Sequence, residues 1–297
     1  MQKKKTIGGG ALFNGVMFIS DDKINMAART EEGLHEKNIA QTRLSKSSKI
    51  WSKPILRGLA NLYEMMKVHS GSIEWSIALE EGEAKKLTWL EKIIIGLEFI
   101  VVFALFGVLP YYLTERIDLV KDNPLAYNLV RKMIFVVVIV AFYWLFSKTK
   151  TGLQMFQYHG AEHKVINTYE KGLELTVENV KQQSYIHRRC GTSFIVMLTI
   201  KSIIIYAIAD YYLALWLGEF PPMITRIVYH TVLLPAVVGI SYEFLKLIGK
   251  FDTLLPIRML LSPGLLMQKF ITVKEPDNQQ IEVALKAIEP LLAEQQA

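Results

Sequence analysis

The chain has 297 residues, 51% of them hydrophobic, with a formal net charge of +6 and one cysteine, Cys190. A single cysteine excludes an internal disulfide framework, so nothing ties the fold to an oxidising compartment. The basic excess does not call for a nucleic-acid partner, because cytoplasmic flanks of membrane helices are basic in any case.

Lys3, Lys4 and Lys5 open the chain, but a mixed, glycine-rich stretch follows them, without the cleavable apolar core of a signal peptide. Gly8-Gly9-Gly10 lacks the preceding strand and the following Lys-Ser/Thr of a phosphate-binding loop. Ala11–Ser20 and Lys23–Thr30 read as strands about an Asp-Asp turn, and Glu31-Glu32-Gly33 turns into a third run ending near Arg43. Such a small β-meander needs a cover on one face. Pro54 then opens an amphipathic helix through about His69, with Ile55, Leu59, Leu62, Tyr63 and Met66 on one side. Met17, Met26, Met65 and Met66 read as packing residues, not as a copper-binding set. Trp75 and Trp89 are placed to anchor at a membrane interface.

Four apolar runs follow, against the 20 or so residues, about 30 Å of helix, that cross a bilayer core. Ile93–Leu113 has Glu98 as its only charge, and Met133–Ser147 is shorter, starting directly after Arg131 and Lys132. Phe194–Leu217 carries Lys201 and Asp210; Ile227–Ile248 has kink signals at Pro235 and Gly239 and Glu243 near its end. Between the second and third runs, Glu170-Lys171-Gly172 reads as a helix end and Thr176 as a helix start. The tail is expected to turn at Ser262-Pro263-Gly264. Pro276-Asp277 then begins a last amphipathic helix bearing Ile281, Val283, Ala284, Leu285, Ile288, Leu291 and Leu292.

The expected fold class is a mainly α-helical integral membrane protein. It has about four transmembrane helices, a small N-terminal β-meander and cytoplasmic amphipathic helices. Lys and Arg concentrate before the first run, between the second and third, and after the fourth, while the loop near Gly218–Thr225 is nearly free of them. That asymmetry predicts a multi-pass protein of the cytoplasmic membrane with both termini in the cytoplasm. The expected division is 1–92 (cytoplasmic), 93–147 (two spans), 148–193 (cytoplasmic insert), 194–250 (two spans) and 251–297 (cytoplasmic tail).

The chemistry concentrates in Tyr158-His-Gly-Ala-Glu-His-Lys164. On a helix, His159 and His163 share a face at i and i+4 with Glu162 beside them. Two imidazoles so spaced can share a zinc ion, and a neighbouring carboxylate can take a proton from water activated by it. The order His-x-x-Glu-His is that of the inverted zinc peptidases. His187 and Cys190 stand three apart before the third span, each able to supply a further ligand. Glu243 lies about 16 residues, or roughly 24 Å, into the fourth run. Entered from outside, that run brings Glu243 to the same surface. His159, Glu162, His163, His187, Cys190 and Glu243 therefore converge at one depth by topology, whereas Asp210 and His230 fall toward the outer side.

Several motifs together resemble the bacterial YqhQ family, multi-pass membrane proteins described as predicted metal-dependent enzymes. They are Gly8-Gly9-Gly10-Ala11 with Asn14-Gly15-Val16-Met17, Arg57-Gly58 with Leu62-Tyr63-Glu64, and Tyr158–Lys164. His187 with Arg189-Cys190-Gly191-Thr192-Ser193-Phe194, Gly239-Ile-Ser-Tyr-Glu243, Pro263-Gly264-Leu265, and Glu275-Pro276-Asp277 with Gln280–Val283 complete the set. The chain departs from the family at Gly10, Asn14 and Arg188, where the family has Gln, Glu and Pro. The resemblance implies a metal-dependent membrane protein.

Two functions follow as expectations. One is a metal-dependent hydrolase or peptidase, with His159 and His163 on zinc, a third ligand from Glu243, His187 or Cys190, and Glu162 as general base. The other is a non-catalytic scaffold or biogenesis factor that docks a cytoplasmic or membrane-protein partner, its His/Glu cluster serving as a structural knot. In both, the bilayer is the chain's surroundings.

Overall fold

A computed structural model gives the fold and describes residues 7–20, 23–41, 44, 48–81, 89–248 and 254–296. The chain divides into two compact units, one of residues 1–84, 144–192 and 262–297, the other of 85–143 and 193–261.

The first unit is built on a four-stranded antiparallel sheet of β1 (Gly8–Leu12), β2 (Gly15–Ile19), β3 (Lys23–Thr30) and β4 (Gly33–Ala40), in sequence order. Two expectations are corrected here. The glycine run is itself strand, and Ala11–Ser20 breaks at Phe13-Asn14, where Asn14 takes φ 52° and turns β1 back on β2. Asn tolerates that left-handed conformation better than most side chains. Arg43 lies outside the described residues.

Alternation along β2 serves two covers. Val16 and Phe18 join a core with α5 (Lys150–Lys171) and α10 (Asn278–Gln296), contributed by Tyr158, Ala161, Val165, Ile281 and Ile288. Met17 faces the other way, into a cluster with Leu12, Ile24 and Met26 that takes Val68, Ile73 and Trp75 from α1 (Leu56–Glu81). β2 is therefore buried on both faces, as its unbroken apolar run requires. Trp75 accordingly packs on the sheet, unlike the interface anchor expected of it, and α1 runs three turns beyond His69. Met17 and Met26 are core residues, but Met65 and Met66 are exposed. Asn25 ties β3 to α10 by donating to the Ala287 carbonyl at 2.8 Å.

Local chemistry sets the helix ends. The Thr149 hydroxyl accepts from Gly152 N at the start of α5, and Gly172 closes it in the left-handed region. Thr176 caps α6 (Val177–Lys181) through Asn179 N. Asp277 and Gln280 start α10 with a reciprocal capping box, Asp277 N to Gln280 Oε1 at 2.9 Å and Gln280 N to Asp277 Oδ1 at 2.8 Å.

Among the described residues, four helical segments, lying almost wholly in the second unit, are long and apolar enough to cross a membrane: residues 96–115, 124–146, 191–217 and 223–247. Phe99, Val137, Trp216 and Val232 are each more than 60% exposed on them. Apolar surface all around a helix is the mark of a lipid-facing span. The first is α2 (Trp89–Phe103), a π-helical turn (Ala104–Val108) and α3 (Leu109–Glu115). Next come α4 (Pro124–Phe146), α7 (Gly191–Leu217) and α8 (Met223–Ile248). The second span starts earlier than its apolar run because Arg131 is buried among aromatic rings instead of bounding the helix, its guanidinium 4.3 Å from the Tyr111 centroid. Lys201 lies 3.2 Å above the Phe244 ring, a cation–π contact.

Asp210 and His230 meet inside this unit. His230 Nε2 is 3.1 Å from Asp210 Oδ1, Asn128 donates to Asp210 Oδ2 at 2.5 Å, and Tyr111 Oη is 2.8 Å from His230 Nδ1. All four spans contribute one member.

The tail carries a further correction. Ser262-Pro263-Gly264 is no turn but lies within α9 (Leu255–Met267), which continues into a π-helical turn, Gln268–Thr272.

Candidate metal centre

The His-x-x-Glu-His segment occupies the middle of α5. Gly160 is retained there in spite of its poor helix propensity. A Cβ at that position would overlap the Lys274 carbonyl oxygen, so glycine lets the tail cross directly over the motif. Lys164, almost fully buried, fixes the same crossing with an ion pair to Glu275 at 2.6 Å and a hydrogen bond to the Lys181 carbonyl at 2.8 Å.

The two imidazoles are oriented alike. His159 Nδ1 donates to the Thr272 carbonyl at 2.9 Å and His163 Nδ1 donates to the Tyr185 carbonyl at 2.7 Å. A carbonyl only accepts, so each Nδ1 carries the proton and each Nε2 keeps a free lone pair. Their rings lie edge to face, 4.4 Å between centroids. Cys190 Sγ stands 3.3 Å from His159 Nε2, and the Thr192 hydroxyl donates to the same sulfur at 3.3 Å. One donor atom from each of His159, His163 and Cys190 lies within 4.8 Å of the other two, so the three could hold a metal ion. Ligand atoms at 2.0–2.3 Å from a tetrahedral zinc lie about 3.5 Å apart, which small side-chain movements reach from here. Two neutral imidazoles and a thiolate are also the donors a borderline-soft cation prefers.

Glu162 completes the group from the buried side. Its Oε2 is 3.8 Å from His159 Nε2 and 3.9 Å from His163 Nε2. Burial pushes its carboxyl up to about 8, with the Cys190 charge adding to the rise and His159 opposing it. Burial likewise lowers the proton affinity of His163, keeping its imidazole neutral, and raises that of the Cys190 thiol.

Of the other expected ligands, His187 stands beside the group, its ring 5.7 Å from that of His163, without being one of the three. His187 turns toward Glu170, its Nε2 3.4 Å from Oε1, and Arg189 pairs with the same carboxylate. Burial, then the neighbouring Arg188, lowers His187 to about 4. Its backbone is clamped by Gln268, which accepts from His187 N and donates to His187 O, both at 3.0 Å. Glu243 sits on α8, in the second unit, and is not a member of the three-residue group.

Three contributors escape the motif reading. Thr272, which orients His159, belongs to the π-helical turn that sequence periodicity does not reveal. His69 approaches from α1: a Cβ on Gly10 would stand 2.8 Å from its Cε1. Burial and the His159 charge lower its proton affinity. On the other face of β1, a Cβ on Gly9 would stand 2.7 Å from Glu162 Oε1. The glycine run was the available signal, since three glycines in a strand mark a close approach.

The pattern of a family described as "Protein of unknown function (DUF1385)" matches residues 53–294. The chain belongs to this family. It is 31% identical over 301 residues to "Uncharacterized protein YqhQ" of Bacillus subtilis (strain 168), across 96% of this chain and 92% of that protein. The family expected from the motifs is thereby borne out. No solved structure matches the chain. Every residue of the His-His-Cys group, with Glu162 and His69, falls inside the stretch that matches the family pattern.

Proposed function

We propose that this multi-pass membrane protein is a metal-dependent hydrolase whose centre is His159, His163 and Cys190, opening on the cytoplasmic side of the inner membrane. One observation carries the reading. Both imidazoles have Nδ1 committed to a backbone carbonyl, so both Nε2 atoms are left as ligands beside a cysteine sulfur. Histidines held only for packing have no need of matched tautomers.

Zinc bound there would supply Lewis-acid chemistry, polarising a substrate carbonyl and making water a better nucleophile. The chain's own residues account for the rest. Glu162 Oε2 lies within 4 Å of both Nε2 atoms, placed to accept a proton and return it to a leaving group. Its raised proton affinity suits a group that must both hold and release a proton near neutrality. The carbonyls of Thr272 and Tyr185 hold the rings, and Gln268 holds the backbone that leads to Cys190. The basic segments on either side of the spans support the cytoplasmic orientation.

Elemental analysis of the detergent-purified protein tests this directly. About one zinc per chain in the wild type, lost in a folded His159→Ala/His163→Ala variant, is the expected result. A wild type that takes up no metal even when incubated with zinc would overturn it, and would favour a non-catalytic scaffold whose His/Glu cluster is a structural knot.

A further inference from the structure

The sheet has two outer strands, and they are treated differently. β4 is blunted in the usual manner, with exposed Glu36 and Lys37 along it. β1 bears no charge, and its first three residues are glycine. For glycine, accessible surface is backbone surface, and Gly8 is exposed while Gly9 and Gly10 are partly so. No strand pairs with the outer side of β1 among the described residues. In an antiparallel ladder, alternate residues of an outer strand point their N–H and C=O away from the sheet. That edge, unpaired among the described residues, runs past the centre, with Glu162 against Gly9 on one face and His69 against Gly10 on the other. None of these three glycines has a positive φ, so Gly9 and Gly10 serve close approach and not a turn.

We propose that the substrate of this centre is an extended peptide segment, which pairs with β1 as a fifth strand. An added strand lies about 4.8 Å from its neighbour, which brings its backbone alongside Glu162. Main-chain pairing supplies affinity for any extended chain and none for a folded one. The cleavage step rests on the hydrolase reading; the pairing does not. In cleavage, the oxygen of water forms the new bond to the carbonyl carbon and the amide C–N bond breaks. The proton taken from water passes through Glu162 to the leaving amine.

The test uses the full-length protein in detergent and fluorescein-labelled α-lactalbumin in two forms: reduced and carboxymethylated, hence unfolded, or native. Gly8→Lys adds an edge-blunting charge at a position where a Cβ meets nothing within 4 Å. Unchanged zinc content in that variant shows that the centre still assembles. Fluorescence anisotropy should show the wild type binding the unfolded form and not the native one, and Gly8→Lys binding at least about tenfold more weakly. Chelator-treated, zinc-free wild type should still bind the unfolded form, and only the zinc-loaded wild type should cut the chain. Failure of the wild type to bind the unfolded chain, or equal binding by Gly8→Lys, overturns the pairing even if zinc is present. Gly8-dependent binding by a protein that takes up no zinc overturns the hydrolase reading and leaves the pairing in place. Binding without cleavage by zinc-loaded protein overturns the segment's role as substrate.

Discussion

His159 Nε2 stands 3.3 Å from Cys190 Sγ, although 31 positions separate the two residues. Three segments combine to set that contact. The middle of α5 carries the imidazole, the turn before α7 carries the sulfur, and the π-helical turn after α9 supplies the Thr272 carbonyl that fixes the ring. π-helical turns place carbonyls off the regular helical path and recur at functional sites. The contact is thus imposed by three elements at once, which is how ligand geometry is pre-organised.

If Cys190 is a ligand, its sulfur should be seen by the metal. Cobalt(II)-substituted wild type should show a sulfur-to-metal charge-transfer band, and Cys190→Ser should lose it. Loss of outer-shell partners of a ligand costs about 10–100-fold in metal affinity, so loss of the ligand itself should reach at least about a hundredfold. Competition with a chromophoric chelator measures it. A cobalt spectrum unchanged in Cys190→Ser would remove the cysteine from the centre.

Glu162 gives the metal-free protein a pH-dependent stability whose sign is fixed by its environment. Its folded value near 8 lies above the ordinary 4.5, so the folded state favours the protonated carboxyl. The resulting stability is fully present below about pH 4.5 and is lost as pH rises through 8. In chelator-treated protein, Glu162→Gln should therefore match the wild type at pH 4. At pH 8.5 it should exceed the wild type by more than about 1.4 kcal/mol, the equivalent of one pKa unit. Thermal unfolding of the pair at both pH values checks this. Saturating zinc should shrink the difference, because a cation beside the carboxylate favours its ionised form.

Gly160→Ala opposes two effects of known size. Helix propensity favours alanine by about 1 kcal/mol. The contact with the Lys274 carbonyl opposes it, and overpacking of this kind costs about 1–3 kcal/mol. A net loss of stability together with weakened zinc binding is expected, since moving Lys274 also moves Thr272. A stabilised Gly160→Ala would show that the tail yields to the added methyl.

The parts of the fold that sequence made legible are those decided by neighbours along the chain. The four apolar helices, the Gly172 end, the Thr176 start and the Asp277 start all follow from local composition and capping. The His-x-x-Glu-His spacing likewise needs only one helix. What escaped depends on distant contacts. Whether Gly9 and Gly10 form a loop or a strand is decided by β2 and by how closely Glu162 and His69 must approach. Ser262-Pro263-Gly264 has the composition of a turn, and no local signal marks it as the middle of a helix. Asp210 and His230 were each visible as polar residues in apolar runs. That they pair with each other depends on the rotation of two helices about their axes, which hydropathy does not encode.

That intramembrane pair makes the last prediction. Asp210 and His230 are both almost fully buried, and Asn128, also buried, spends its amide on the same carboxylate. Asp210→Leu would leave Asn128 without that acceptor and His230 without its neighbouring carboxylate, and breaking a buried polar pair from one side costs about 3 kcal/mol or more. Removing both members, as Asp210→Leu/His230→Phe, should recover part of the loss, because the remaining apolar groups can pack. Thermal unfolding in detergent of the two single variants and the double variant gives the coupling. Recovery in the double variant would assign the pair to holding the four spans together. A single Asp210→Leu variant as stable as wild type would mean that the helices pack without it. The two ionisable groups would then be held inside the membrane for something other than stability, since an isolated charge there has no structural reason to persist.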